Sequence, residues 1–135
     1  MREVIVAEHP NLATFRSIYA AFASGDMDTL ATFFGEDVVW HTPGRHRLAG
    51  RYEGRDAAFA SFAEEFELSG GTYGVEVHDV LANDEHIVAL LHAAAEREGK
   101  RLDQDYAIVF EVRDGIVRAA WEVWKDQPSV DAFWS

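Results

Sequence analysis

The chain of 135 residues contains no cysteine. This excludes disulfide bridges, thiolate nucleophiles and cysteine-based metal sites. Basic side chains are scarce as well, since 12 Lys and Arg stand against 24 Asp and Glu and the formal net charge is −12. An acidic surface repels phosphate backbones and anionic lipid headgroups, so neither nucleic acid nor a membrane is expected as a partner.

The sequence also has no apolar run long enough for a membrane span or a signal peptide. The longest apolar run, residues 87–95, contains His92 and is far too short to span a bilayer. The apolar stretch within residues 1–8 is too short for a signal peptide, so we expect a cytoplasmic location. No repeat or linker divides the chain, which predicts a single domain over residues 1–135. Hydrophobic residues make up 48% and aromatic residues 13%, which is enough for one solid core.

Apolar side chains recur at helical spacing in three stretches of the N-terminal half. The three sets are Leu12, Phe15, Tyr19 and Phe22; Met27, Leu30, Ala31 and Phe34; and Phe59, Phe62 and Phe66. Gly25 suits the end of the first helix, and Asp26 can cap the second. We assign the aromatic face of the third helix to the core, with the mouth of the pocket as the alternative for one or two of its rings.

The remaining segments read as strands and loops. Residues 38–41 are β-branched and aromatic and precede a turn at residues 42–44, whereas the polar, Gly-bounded residues 45–54 are predicted to be a loop. From Tyr73 onward the apolar period is two, and three turn signals, the last at Asp114-Gly115, predict four antiparallel strands in a meander.

This order of elements predicts an α+β fold. We expect a curved, mixed or antiparallel sheet wrapped around the three helices of the N-terminal half. Such an arrangement forms a cone with one apolar pocket, and pockets of this kind usually bind small molecules.

Particular residues also resemble a known family. They are residues 20–26 (AAFASGD), 37–44 (DVVWHTPG) and 48–55 (LAGRYEGR), and the hairpin 114–117 (DGIV) followed by Trp121, Asp126 and Gln127. Together they resemble the SnoaL-like branch of the nuclear-transport-factor-2-like superfamily over nearly the whole chain. The resemblance implies an α+β cone, chemistry without a cofactor, and a homodimer formed through the convex face of the sheet.

Ketosteroid isomerases of this superfamily use an Asp base, a Tyr and a protonated carboxylic acid. Carried over residue by residue, the base position falls on Thr42, the acid on about Ile108, and the tyrosine on about Ile18, next to Tyr19. Thr42 cannot act as that base, so the resemblance does not imply steroid isomerase activity.

Two residues are the candidates for catalysis. His41 ends the first strand and is of a type that exchanges protons near neutral pH. Asp103, with Asp105 as an alternative, follows the use of a carboxylate on the sheet by the polyketide cyclases of the family. Strand alternation limits both, because only one of Trp40 and His41 can face the pocket.

The same alternation applies to the carboxylates. If Tyr106 and Ile108 face the pocket, Asp103 and Asp105 face away from it unless a β-bulge intervenes. The residues expected to bind a ligand are Tyr19, Trp40, Tyr52, Phe59, Phe62, Tyr106, Ile108 and Trp121.

Other polar residues are placed on the convex face, and no metal site is predicted. They are His78, His92, Glu76, Glu111 and Glu122. No His-x-His or His-x-x-x-His spacing accompanied by acids occurs. Two functions stay open: a cofactor-free isomerase or cyclase that transfers a proton on an apolar, carbonyl-bearing substrate, and a non-catalytic ligand-binding or dimerisation module.

Overall fold

A computed structural model describes residues 8–135, so the apolar stretch at the N-terminus lies almost wholly outside the described residues. The elements are α1 (Pro10–Ser24), α2 (Met27–Phe33), β1 (Phe34–Thr42), β2 (Gly50–Glu53), α3 (Arg55–Leu68), β3 (Gly74–Ala82), β4 (His86–Arg97), β5 (Lys100–Arg113), β6 (Ile116–Trp124) and α4 (Gln127–Trp134). The predicted α+β class is confirmed. Within residues 8–135, no helix is both long and apolar enough to cross a membrane.

The six strands form one mixed, open sheet in the order β2-β1-β6-β5-β4-β3. Strands β3 to β6 make the predicted antiparallel meander, and β1 closes onto β6 in parallel. Strand β2 corrects the prediction that residues 45–54 form only a loop, because Gly50–Glu53 pairs antiparallel with β1. An edge strand this short is largely exposed and needs no apolar alternation, which is why the sequence pattern did not show it.

The helix boundaries follow the predicted caps. Gly25 adopts a φ of 71° at the end of α1, and its N–H donates to the carbonyl oxygen of Phe22 over 3.2 Å. The carboxylate of Asp26 accepts from the N–H of Thr29 over 3.1 Å and thereby caps α2. These two caps place α1 and α2 next to each other, with little chain between them.

Helix α3 differs from its prediction. Its fully buried positions are Ala58 and Ser61, while Phe59 and Phe62 are half-buried and the side chain of Phe66 is 56% exposed. The assignment of Phe66 to the core was therefore wrong. The aromatic side chains of α3 border a groove instead of packing flat on the sheet. Helical spacing therefore identified the apolar face of α3, but it did not show that part of this face is left uncovered.

Strand alternation separates the two faces of the sheet. On β5, Tyr106, Ile108 and Phe110 are buried beneath the helices, whereas Asp103 and Asp105 are exposed on the opposite side. We call this opposite side, turned away from α1, α2 and α3, the convex face. The split agrees with the alternation expected from the sequence of β5.

Candidate functional site

An apolar cavity lies between the helices and the sheet. Its volume is about 70 Å³, and its walls come from α1, α2, α3 and the covered face of β1, β3, β4, β5 and β6. The lining residues with a polar group in the side chain are Tyr19, Trp40, Glu65, Tyr73, Tyr106 and Glu122. An apolar chamber with a few polar groups is the usual form of a small-molecule site.

The cavity continues into a wider groove of about 860 Å³. Six residues line both spaces: Tyr19, Phe22, Phe62, Glu65, Tyr73 and Val75. The groove adds Met27, Phe59, Ala63 and Phe66 at its rim. The exposure of Phe22 and Phe66 thus has a local explanation, since both rings border this opening.

Glu122 is the best-connected polar group in the cavity. Its Oε2 accepts from the indole Nε1 of Trp40 over 2.7 Å and from the hydroxyl of Thr42 over 3.3 Å, and its Oε1 accepts from the indole Nε1 of Trp124 over 3.0 Å. Burial raises the pKa of Glu122, and the three donors oppose that rise because they stabilise the carboxylate. The three donors thus favour the ionised form of Glu122 inside an apolar chamber, against the larger effect of burial.

The carboxyl group of Glu65 differs from that of Glu122 in its hydrogen bonding. It lies on α3, and no hydrogen bond to its carboxyl group is found among residues 8–135. Burial of the carboxyl group raises the pKa of Glu65 well above its usual value, and the nearby charge of Glu122 raises it further. The two carboxyl groups therefore differ in their surroundings: three donors oppose the rise in the pKa of Glu122, and no such donor opposes the rise in the pKa of Glu65 among residues 8–135.

Tyrosine hydroxyl groups complete the polar lining. Burial raises the pKa of Tyr73 and of Tyr106 well above the usual range, and the neighbouring carboxyl groups add to this, so both phenols stay protonated and can donate. Tyr106 stacks on Trp124 with ring centroids 4.0 Å apart, which fixes its ring. Tyr19 instead donates its hydroxyl to the carbonyl oxygen of Val75 over 2.7 Å.

The residues predicted to bind a ligand divide into two groups. Tyr19, Trp40, Phe62, Tyr106 and Ile108 line the cavity, and Phe59 lines the groove.

Tyr52 and Trp121 lie elsewhere. The Tyr52 hydroxyl donates to the carbonyl oxygen of Leu48 over 2.7 Å, which ties β2 to the preceding loop. Trp121 lies on the convex face and stacks on His41 with ring centroids 5.0 Å apart and 4° between the planes.

Both candidate catalytic residues also lie on the convex face. Trp40 faces the cavity, so its neighbour His41 faces the other way, as strand alternation requires. Asp103 is exposed and accepts from His92 Nε2. His41 and Asp103 therefore do not line the cavity. The polar groups of the cavity belong to other side chains.

One β-bulge explains the largest error of the sequence analysis. Ala119 pairs with Glu111 and Val117 pairs with Val112, so Arg118 is an extra residue in β6. Without it, alternation from the buried Val117 would place Trp121 in the cavity and Glu122 on the convex face, as predicted. The bulge exchanges the two, and Glu122 becomes a cavity residue.

Sequence reasoning also missed Glu65 and Tyr73. Glu65 follows Glu64 in a polar stretch of α3, and Tyr73 immediately precedes β3. A usable signal existed for Glu65, because it lies three residues after Phe62 and so shares its face of the helix.

Comparison with known proteins agrees with the fold. Residues 15–120 match the family model of the SnoaL-like domain, and the chain belongs to the SnoaL-like family. The uncharacterized protein Rv0034 of Mycobacterium tuberculosis is 34% identical over 131 residues, which cover 96% of this chain and 100% of that protein.

Solved structures share the architecture. Bal32a, from a soil-derived mobile gene cassette, is 44% identical with a TM-score of 0.88, and the match covers 93% of this chain and 96% of that one. IdmH from Streptomyces antibioticus, a proposed polyketide cyclase, is 20% identical with a TM-score of 0.70 over 87% of this chain and 93% of that one. At that identity IdmH shows the shared fold alone.

Proposed function

We propose that this protein binds an apolar small molecule in the cavity and groove and transfers a proton on a carbonyl-bearing substrate without a cofactor, as an isomerase or cyclase would. The observation that carries the proposal is the pair of carboxyl groups, Glu65 and Glu122, in one apolar chamber. Their surroundings favour different protonation states, which is the arrangement that separates an acid from a base.

In this proposal Glu122 is the base. Its carboxylate removes a proton from the carbon next to the substrate carbonyl, and the electron pair of the broken C–H bond moves to the carbonyl oxygen. Glu65 in its protonated form, which its raised pKa favours, donates a hydrogen bond or the proton to that oxygen, with Tyr73 or Tyr106 as a second donor. The proton on Glu122 then goes to a different carbon while the carbonyl re-forms, and a proton that the oxygen has taken from Glu65 returns to Glu65, so atoms and charge balance.

The dimensions favour entry from the groove. The cavity of about 70 Å³ is smaller than the roughly 300–1,000 Å³ of common ligand sites, whereas the groove of about 860 Å³ is large enough. A ligand whose apolar body lies along Phe59, Phe62 and Phe66 can place its carbonyl end beside Glu65, which lines both spaces. The proposed substrate is therefore longer than the inner chamber.

The homodimer expected from the resemblance stays a proposal, and the convex face supports it. Leu90 and Val123 are 40% and 56% exposed there, and Ala107 lies between them in the sheet. Exposed apolar side chains grouped on one sheet face are typical of surfaces that another protein covers. We propose a second copy of this chain as that partner. The cytoplasmic location stays a prediction.

A second candidate function is a ligand-binding or dimerisation module without catalysis. It is favoured by Thr42, which stands where the ketosteroid isomerases carry their base and here donates its hydroxyl to Glu122. In that case Glu122 would be a structural acceptor for Trp40, Trp124 and Thr42 only. The two functions differ in whether a bound carbonyl compound exchanges a proton with solvent.

The test has two stages. A thermal-shift screen against steroids, polyketide-like aromatics and terpenoid epoxides identifies a ligand class, because a ligand that binds only the folded state raises the unfolding midpoint. NMR in D₂O then follows deuterium incorporation next to the carbonyl of a bound ketone.

We expect Glu122→Gln to slow exchange by about 10²- to 10⁴-fold. His41→Ala is the matched control on the same strand pair and should leave exchange unchanged. Binding without any exchange in the wild type would establish the non-catalytic module instead.

A further inference from the structure

A group of histidine and aspartate side chains lies on the convex face, away from the cavity. It begins with a bulge in β3: Val77 pairs with Leu91 and Asp79 pairs with Leu90, so His78 is an extra residue. Bulges turn a side chain away from its regular direction. Here the His78 ring comes to lie next to His92 of β4, with ring centroids 6.0 Å apart.

The third member comes from the next strand. Asp105 of β5 is the direct cross-strand partner of His92, and its Oδ1 lies 2.7 Å from His92 Nδ1 and 3.9 Å from His78 Nε2. One potential ligand atom from each of the three side chains lies within 4.8 Å of the others. Three neighbouring strands thus bring two imidazoles and one carboxylate to a single point.

Asp103 places a carboxylate next to the second ring nitrogen of His92. Its Oδ1 lies 2.5 Å from Nε2 of His92, the ring nitrogen opposite the one that faces Asp105. Histidines that bind metals usually donate their other ring N–H to a carboxylate, which fixes the ring and makes the ligating nitrogen more basic. The side chains of Asp103, His92 and Asp105 contact one another in this order and already have this arrangement.

We propose that His78, His92 and Asp105 bind a divalent transition-metal ion, with Asp103 as the residue that orients His92. Two imidazoles and a carboxylate match Zn²⁺, whose sites with three protein ligands keep one position open to solvent. In the single chain the ion needs no opening of the fold, because His78 and Asp105 are exposed and His92 is half-buried. The site shares a depression with Leu90 and Val123, so in the proposed dimer it lies beside the second copy.

Charges of both signs surround the three side chains. Lys125 lies in the same surface depression, and Arg101 Nη2 lies 3.4 Å from Asp103 Oδ2, so both oppose a cation locally. The chain as a whole carries a formal charge of −12, which attracts cations. The competing explanation is a His92 imidazolium held between two carboxylates, with no role for a metal.

Calorimetric titration of the full chain, stripped with a chelator and titrated with ZnCl₂ alone, separates these explanations. We expect one ion per chain. In His92→Ala the affinity should be lower by about 100-fold or more, since even a residue that only orients a metal ligand contributes about 10- to 100-fold. Asp103→Asn should weaken binding by about tenfold. His86→Ala is the matched control, because His86 is an exposed histidine of the same strand and face.

A second readout guards against variants that fold poorly. Zn²⁺ should shift the imidazole NMR signals of His78 and His92 in the wild type and leave those of His86 in place. No saturable binding, equal binding by His92→Ala, or half an ion per chain would overturn the proposal. These outcomes are independent of the proposed cavity chemistry, which uses none of these residues.

Discussion

The indole Nε1 of Trp40 donates to Oε2 of Glu122 over 2.7 Å, and this hydrogen bond links β1 to β6 at the wall of the cavity. Both side chains are buried, so a donor lost here is not replaced by bulk water. The bond therefore stabilises a charge in an apolar chamber and defines the direction in which Glu122 points.

Trp40→Phe should lower the free energy of unfolding by about 1–3 kcal/mol from the lost donor, in addition to the cost of the smaller ring. The loss should be larger at pH 8 than at pH 4, because a protonated Glu122 depends less on the donor. Urea unfolding at both pH values measures it. An equal loss at both would mean that Trp40 contributes packing only.

Glu65 should make the stability depend on pH. The pKa of Glu65 in the folded protein lies well above the ordinary value of 4.5, so between these values the folded state binds more protons than the unfolded state. The contribution of Glu65 to the free energy of unfolding is therefore highest below about pH 4.5. It falls as the pH rises through the pKa of Glu65 in the folded protein.

Glu65→Gln should remove that part of the pH dependence and be more stable than the wild type at pH 8. Thermal unfolding across pH 4–8 is the measurement. Glu64→Gln is the control, because Glu64 is the exposed neighbour on the same helix. If both variants keep the wild-type slope, the carboxyl group of Glu65 is not buried in the folded state.

His41 and Asp103 should be dispensable for the cavity. Both lie on the convex face, so His41→Ala and Asp103→Asn should change the binding free energy of a cavity ligand by less than about 0.5 kcal/mol. Calorimetry with a ligand found in the thermal-shift screen provides the test. A large loss in either variant would return the catalytic role to the residues favoured by the sequence.

The convex face should control the oligomeric state. Val123→Lys places like charges together across a symmetric interface and should convert a dimer into a monomer. Phe66→Lys is a matched control, because Phe66 is equally exposed at 56% but borders the groove. Light scattering at several concentrations distinguishes the two, and a wild type that is monomeric at all of them would contradict the proposed dimer.

Local chemistry made much of the fold predictable. The apolar spacing of α1, the glycine at its end and the cap at Asp26 define two helices from the chain alone. The period of two in β5 correctly separated Tyr106 and Ile108 from Asp103, because a strand side chain cannot change face without an irregularity.

Tertiary structure decided which residues form the sites, because a β-bulge moves every later side chain of a strand to the other face. The extra residue Arg118 puts Glu122 in the cavity and Trp121 outside, and no periodic pattern announces such a bulge. Burial by other elements sets the pKa of Glu65. His78, His92 and Asp105 are distant in sequence, and only the pairing of three strands brings them together. The sequence by itself determined the elements and the family; the bulges and strand register determined which side chains meet.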